Sequence, residues 1–406
     1  MSATDNASRT TILFGAFDRH NFGDLLLPHV IARMIGGSAH PCVHYAGLAE
    51  RDLTDVGGHR VHALARLAAS LGSTTVDIIH VGGEILTCSA WEAAVMLQPP
   101  EWAPAIVAKL DARPLQRSAW ACEALGLRDA APYLLPAGMF ANVKRVAYHA
   151  VGGITLGEVE PAMRDEVLAK LGAATSVGVR DLQTQAVLAA DGLGCRLQPD
   201  PAVMVAELFG DRIRQHAHQG EVAGLLSRFP HGYFAVQFSA DFGDDATLAQ
   251  FASQLQRVAR DRNVGVVLFR AGAAPWHDDM DSYRRVAQQL RGTPVVLFDA
   301  LNLWDICALL AHSRAFAGSS LHGAIVASAF ALPWVGVLRP GQALAHSKQA
   351  AFAATWGTAA APAAVAVSEL AAALDNAMAA EPAQRQDLAR RPVNAFRTSF
   401  TDIHET

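Results

Sequence analysis

Short apolar runs, polar turns and stretches of helical spacing alternate along the whole chain. Residues 11–17 predict a buried strand, Asp18 to Asp24 a polar turn, and 25–34 a helix with apolar positions at i, i+3 and i+4. Strands are expected at 41–45 and 75–81, with a helix at 59–71 between them. The stretch 85–142 is less regular. It carries Trp91, Trp102 and Trp120 and the breakers Pro99, Pro100, Pro104 and Pro114, and reads as a helical insertion around a cleft. Regular alternation resumes with strands at 144–151, 176–179 and 195–197 and helices at 161–171 and 181–190.

The prolines of Pro199-Asp200-Pro201 predict a domain junction. Beyond it a second alternation begins, with strands at 233–238, 264–269, 294–298, 315–317 and 334–338. Helices are expected between them at 246–261, 279–290, 303–311 and 321–330. Ala-rich helices follow from residue 350, and 381–406 reads as a polar tail. Strand and helix in strict alternation predict parallel sheets. The expected fold is therefore α/β with two Rossmann-like domains facing a cleft: 1–201 with the insertion 85–142, then 202–380, then the tail.

Composition supports this and excludes other classes. The chain has 406 residues, 51% hydrophobic and 17% charged, which suits two buried cores and not a disordered chain. A net charge of −5 argues against nucleic acid as a partner. The five cysteines form no C-x-x-C pair, which fits buried thiols in a reducing compartment. Met1 to Thr10 lacks the apolar core of a secretory signal, so a cytoplasmic location is expected. Residues 315–338 carry no charge over membrane-span length, but Gly318, Ser319, Ser320, His322, Gly323 and Pro333 punctuate them as strand, turn, helix and strand.

Candidate chemistry falls at the ends of predicted strands, where doubly wound sheets bind ligands. Asn21-Phe22-Gly23-Asp24 opens a helix, whose free N–H groups suit an anion or a hydroxyl; a simple helix cap is the plainer alternative. Gly82 and Gly83 end a strand and permit close backbone approach. Arg180 directly follows an apolar strand and offers a planar fork to a carboxylate or phosphate; the plainer alternative is a domain-interface salt bridge, with Asp181 as helix cap. Gly318-Ser319-Ser320-Leu321-His322-Gly323 places hydroxyls, backbone donors and an imidazole at one helix start, and histidine suits acid–base work near neutrality. Asp279-Met280-Asp281 imitates a D-x-D metal motif, but capping explains it better. Asp241-Phe242-Gly243 imitates a kinase triplet without the other kinase elements. No metal and no cofactor is expected. Trp91, Trp102 and Trp120 read as core first and as sugar-stacking rings second.

In order and spacing these stations resemble the polysaccharide pyruvyl transferase family. The resemblance runs through Asn21 to Asp24, Gly82-Gly83, Val179-Arg180-Asp181, Pro199-Asp200-Pro201, Ser320-Leu321-His322-Gly323 and Leu332-Pro333. It implies a GT-B-like fold, phosphoenolpyruvate as donor, and a sugar of an exopolysaccharide or a lipid-linked glycan as acceptor. By the same resemblance Arg180 and His322 are the functional Arg and His. Arg339 or Lys348 is the further cation, and Asn21, Gly23, Asp24, Gly82, Gly83, Ser319, Ser320 and Gly323 line the substrates. Where many members have arginine before the leucine of L-H-G, this chain has Ser320. A lipid-linked acceptor leaves room for peripheral membrane association without a transmembrane segment. The alternatives are a GT-B-type glycosyltransferase using a nucleotide sugar and a non-catalytic glycan-binding relative.

Overall fold

The computed structural model describes residues 10–36, 42–357 and 364–404. They divide into two units, one running to Pro201 and the other from Ala202 to Thr401, each built on its own sheet. The first sheet uses β1 (Thr10–Phe14), β2 (Val43–Gly47), β3 (Arg51–Asp52), β4 (Arg60–Ala63), β5 (Thr75–His80), β6 (Asn142–Val151), β7 (Ser176–Val179) and β8 (Arg196–Leu197). Among the described residues their order is β3-β4-β2-β1-β5-β6-β7-β8. All pairs are parallel except β3 with β4. The second sheet uses β9 (Tyr233–Gln237), β10 (Gly265–Phe269), β11 (Val295–Phe298), β12 (Ala315–Gly318), β13 (Trp334–Val337) and β14 (Ala364–Val365), ordered β11-β10-β9-β12-β13-β14 and parallel throughout.

Central strands covered by helices on both faces must be apolar on both faces. This is why β1, β9 and β10, with sequences TTILF, YFAVQ and GVVLF, are buried at every position. Each unit closes its own core. Ile12, Phe14, Ile78, Tyr148 and Val179 pack in the first; Phe234, Phe238, Phe251, Leu268 and Tyr283 pack in the second.

Several boundaries differ from the sequence expectation. The first strand stops at Phe14 and the helix starts at Phe22, because Asn21 already caps it. Residues 59–71 are not one helix: β4 comes first and the helix is Leu64–Leu71. Val61 is buried between exposed Arg60 and half-buried His62, a two-residue period hidden by the helical spacing that follows. The insertion is helical as expected, with Ala90–Met96, Ala103–Leu110 and Pro114–Leu125. Two helices went unread, Val205–Ala217 and Gly220–Arg228. The stretch read as a polar tail is a helix over Pro382–His404, and it buries Phe396 and Phe400. The expected strand start at Pro41, residues 358–363 of the expected Ala-rich helices, residues 405–406 of the tail, and residues 1–9 lie outside the described residues. The uncharged stretch 315–338 resolves into β12, the helix Leu321–Ala329 and β13, and among the described residues no helix is long and apolar enough to cross a membrane.

Candidate active site

In each unit the residues singled out above gather at the carboxyl rim of the parallel sheet. In the first unit the loop after β1 begins with Asp18, which is fully buried. One of its oxygens accepts from the Tyr133 hydroxyl (2.8 Å) and the other from the backbone N–H groups of Leu48 (2.6 Å) and Ala49 (3.1 Å). Arg19 donates to the Tyr133 hydroxyl (2.8 Å) and lies 3.7 Å from Asp24. Asn21 caps the helix Phe22–Ile35, its side-chain oxygen accepting from Gly23 N (3.1 Å). Gly82 (φ +111°) and Gly83 (φ +89°) hold left-handed backbone that other residues adopt only with strain. A Cβ on Gly83 would stand 3.4 Å from Asp24, so the structure brings these two stations together.

Arg180, the first residue after β7, is buried, and its guanidinium is engaged. It pairs with Asp200 (3.1 Å) and, more closely, with Glu84. Burial alone would lower its pKa, but Glu84 and then Asp200 outweigh burial and raise it. Glu84 also accepts from Ile154 N (3.2 Å), while Asp181 caps the next helix through Thr184 N (2.7 Å). A salt bridge and the Asp181 cap are present, but the bridge is not at a domain interface: Arg180, Glu84 and Asp200 all belong to the first unit. With two carboxylates against one guanidinium, the group brings no spare positive charge.

The second rim is organised differently. Ser320 caps the helix Leu321–Ala329 by accepting from Gly323 N (3.1 Å), and His322 lies buried in that helix's first turn. Gly323 is required for contact: a Cβ there would run into the Phe316 ring of β12. Gln237, the last residue of β9, accepts from Ser320 N (2.8 Å) through its side chain and from Ser319 N (3.3 Å) through its backbone carbonyl. Its amide donates to Asp278 (2.8 Å), which also accepts from Ala271 N (2.6 Å) and Gly272 N (3.4 Å). Burial pushes the Asp278 carboxyl up to about 7, against the opposing pull of those hydrogen bonds. The Ser319 hydroxyl accepts from Ser239 N (3.1 Å), and Gln349 donates to the Ser319 carbonyl.

The two competing cations stand on this same rim. Arg339 follows β13, is about half exposed, and lies 3.5 Å from Asp241. Lys348 is exposed at the start of the helix Lys348–Trp356, next to Gln349. Ser319, Ser320, His322, Gly323, Arg339 and Lys348 therefore share one neighbourhood, and Asn21, Gly23, Asp24, Gly82, Gly83 and Arg180 share the other. The D-x-D imitation is a cap: Asp279 accepts from Asp281 N (3.1 Å) and Ser282 N (3.0 Å). Trp91 and Trp120 pack edge to face at 5.4 Å in a small core of the insertion, while Trp102 is exposed. Sequence reading missed Gln237 and Asp278. Gln237 carried a usable signal, a polar residue closing a wholly apolar strand, the same signal that singled out Arg180.

No curated protein matches the chain in sequence. Solved structures do resemble it in fold. UDP-GlcNAc 2-epimerase from Neisseria meningitidis, bound to UDP-GlcNAc, is 9% identical with a TM-score of 0.53, covering 98% of both chains. The same enzyme from Methanocaldococcus jannaschii is 8% identical with a TM-score of 0.53, covering 94% of this chain and 98% of that one. Anabaena HepE in complex with UDP-glucose is 11% identical with a TM-score of 0.50, covering 98% and 100%. Likeness at such low identity shows the GT-B-like α/β fold, with two Rossmann-like domains, and leaves the chemistry open. That gap is narrowed by the family comparison, which spans Arg180, the serine–histidine station and Arg339 but not Asn21 to Asp24, Gly82-Gly83 or Lys348: the polysaccharide pyruvyl transferase model matches residues 113–339, over half of the chain, and the chain belongs to that family of transferases.

Proposed function

We propose that this chain transfers pyruvate from phosphoenolpyruvate to two hydroxyls of one sugar, in an exopolysaccharide or lipid-linked glycan, as a ketal. The observation that carries this is the second rim. There His322 lies in the first turn of a helix that follows two serines held by Gln237, and on the same rim Arg339 follows β13 and Lys348 starts the helix whose Gln349 binds the Ser319 carbonyl. The donor is a small trianion and needs cations; fixed dipoles and charges stabilise developing charge without solvent reorganisation.

In the reaction, a proton adds to the donor's methylene carbon and leaves the central carbon electrophilic. One sugar hydroxyl bonds to that carbon and loses its proton. The carbon–phosphate oxygen bond breaks, and a second hydroxyl of the same sugar closes the ketal, its proton lost as phosphate departs. His322 is the group proposed to carry protons through these steps. Arg339 and Lys348 hold the donor's carboxylate and phosphate, with the Ser319 and Ser320 hydroxyls as added donors, while Gly323 keeps the helix start close against β12. Arg180 acts through Glu84, ordering the Gly82-Gly83 loop. Asn21, Gly23, Asp24, Gly82 and Gly83 are assigned to the acceptor. The work is placed in the cytoplasm, with peripheral membrane contact where the acceptor is lipid-linked.

A second reading, sugar transfer from a nucleotide sugar, is favoured by the UDP-GlcNAc and UDP-glucose bound to proteins of similar fold. One incubation separates the two. The chain is mixed with phosphoenolpyruvate or UDP-sugars and a panel of lipid-linked sugars, and followed by phosphate release and product mass. Phosphate release with a product heavier by pyruvate less water supports the proposal. Turnover of a UDP-sugar alone overturns it.

A further inference from the structure

Arg270 is the first residue after β10, and its Nε is buried without a hydrogen-bond partner. Among the described residues its side chain makes no hydrogen bond and no ion pair. The residue as a whole is half-buried, and the unusual feature is this one buried N–H without an acceptor, which native structures rarely leave unpaired without a reason. Its place in the sheet supplies the reason. Register aligns Leu268 with Val236 of β9, and Val236 with Ala317 of β12. Two residues further along each chain, Arg270, Phe238 and Ser319 stand in a row across the carboxyl rim. Two strand spacings put Arg270 about 10 Å from Ser319 at the backbone, within reach of a long side chain and a small ligand between them.

The surroundings are built for something other than pairing Arg270 internally. Asp278, the acid nearest in the chain, turns both carboxylate oxygens to other donors: Gln237, Ala271 N and Gly272 N. The Tyr283 hydroxyl, which feels the Arg270 charge, is held by the backbone of Phe238. The loop that leaves Arg270 also holds Trp276 at φ +64°, a strained conformation for a bulky residue. Ser319 and Ser320, whose N–H groups are taken by Gln237, bring hydroxyls to the rim but no charge.

We propose that Arg270 is a donor-binding residue, its planar fork taking a carboxylate or phosphate group of the donor on the β10 side of the rim, opposite the serine–histidine station. This rests on the reading of the donor as phosphoenolpyruvate. The test is calorimetric titration of the full chain with phosphoenolpyruvate and with inorganic phosphate, for wild type, Arg270→Gln and Arg270→Lys, with a melting curve for each. A charge-assisted hydrogen bond to an ionised group predicts about 10- to 100-fold weaker phosphoenolpyruvate binding in Arg270→Gln. The smaller loss is expected in Arg270→Lys, which keeps the charge without the fork. Because the wild-type guanidinium has no internal partner, both variants melt at or above the wild-type temperature. Phosphate weakened in parallel assigns Arg270 to the donor's phosphate; phosphate binding unchanged while phosphoenolpyruvate weakens assigns it to the carboxylate. If wild type binds phosphoenolpyruvate and both variants bind it within twofold of wild type, the inference is overturned and the donor reading stands. If wild type does not bind phosphoenolpyruvate, the donor reading falls and this inference with it. A fall in melting temperature in both variants with affinity intact makes Arg270 structural and overturns the proposal.

Discussion

The carboxyl rims of the two sheets carry the same kinds of residue and use them in opposite ways. In the first rim each arginine is matched or outnumbered by acids: Arg19 sits with Asp18 and Asp24, and Arg180 with Glu84 and Asp200. In the second, Arg270 and Lys348 have no carboxylate within ion-pair distance among the described residues. Arg339 has one exposed partner, and the nearby Asp278 is shifted toward its neutral form. A guanidinium ringed by carboxylates orders loops; it does not attract a trianion. Cations left uncompensated beside fixed donors do attract one. The proposed function accordingly assigns the hydroxyl-bearing acceptor to the first rim and the charged donor to the second.

Four experiments probe that contrast. The largest effect is expected from His322→Ala, which should lower phosphate release from phosphoenolpyruvate and acceptor by about 10²- to 10⁴-fold with the fold intact. Wild-type turnover in that variant would remove His322 from the chemistry. Next is Arg180→Leu, which leaves the buried Asp200 and the partly exposed Glu84 without their cation. Breaking such a pair from one side costs about 3–5 kcal/mol, read as a lower denaturation midpoint. If Arg180→Leu keeps its stability but loses donor affinity, the assignment of charge recognition to the second rim alone is wrong.

Arg339→Ala and Lys348→Ala, both at exposed positions, should leave stability unchanged and raise the donor KM by up to about fivefold each, since screened surface charges contribute about 1 kcal/mol or less. The larger change identifies which of the two faces the donor. The smallest effect concerns pH. Asp278 is raised in the folded state, so the folded chain holds a proton that the unfolded chain has already lost between about pH 4 and pH 7. Its contribution favours folding below the unfolded pKa and is lost as pH rises through about 7. Asp278→Asn should therefore flatten the decline in melting temperature from pH 5 to pH 8 by a few degrees, and an unchanged slope would show that Asp278 is not its source.

Much of the fold was legible in the residue order, because buried parallel strands must be apolar on both faces and the turns between strand and helix need polar or small residues. Strands such as Ser176–Val179 and the helix Leu303–Ala311 follow directly from that rule. The rule is weaker at sheet edges, where one face is open and strands are short, so β3, β4 and β14 were missed. It also fails for Pro382–His404, whose scattered polar residues conceal a helix anchored by two phenylalanines.

By itself the residue order determined the two-part α/β plan and the stations at strand ends, since both depend on local pattern and on spacing along the chain. Only the tertiary structure decided which charges cancel. Arg180 meets Glu84 across 96 residues of sequence, and Gln237 meets Ser320 across 83. Whether an arginine is a binding group or a brace depends on carboxylates brought from distant loops. The field at a point is set by distance in space, which sequence separation does not encode.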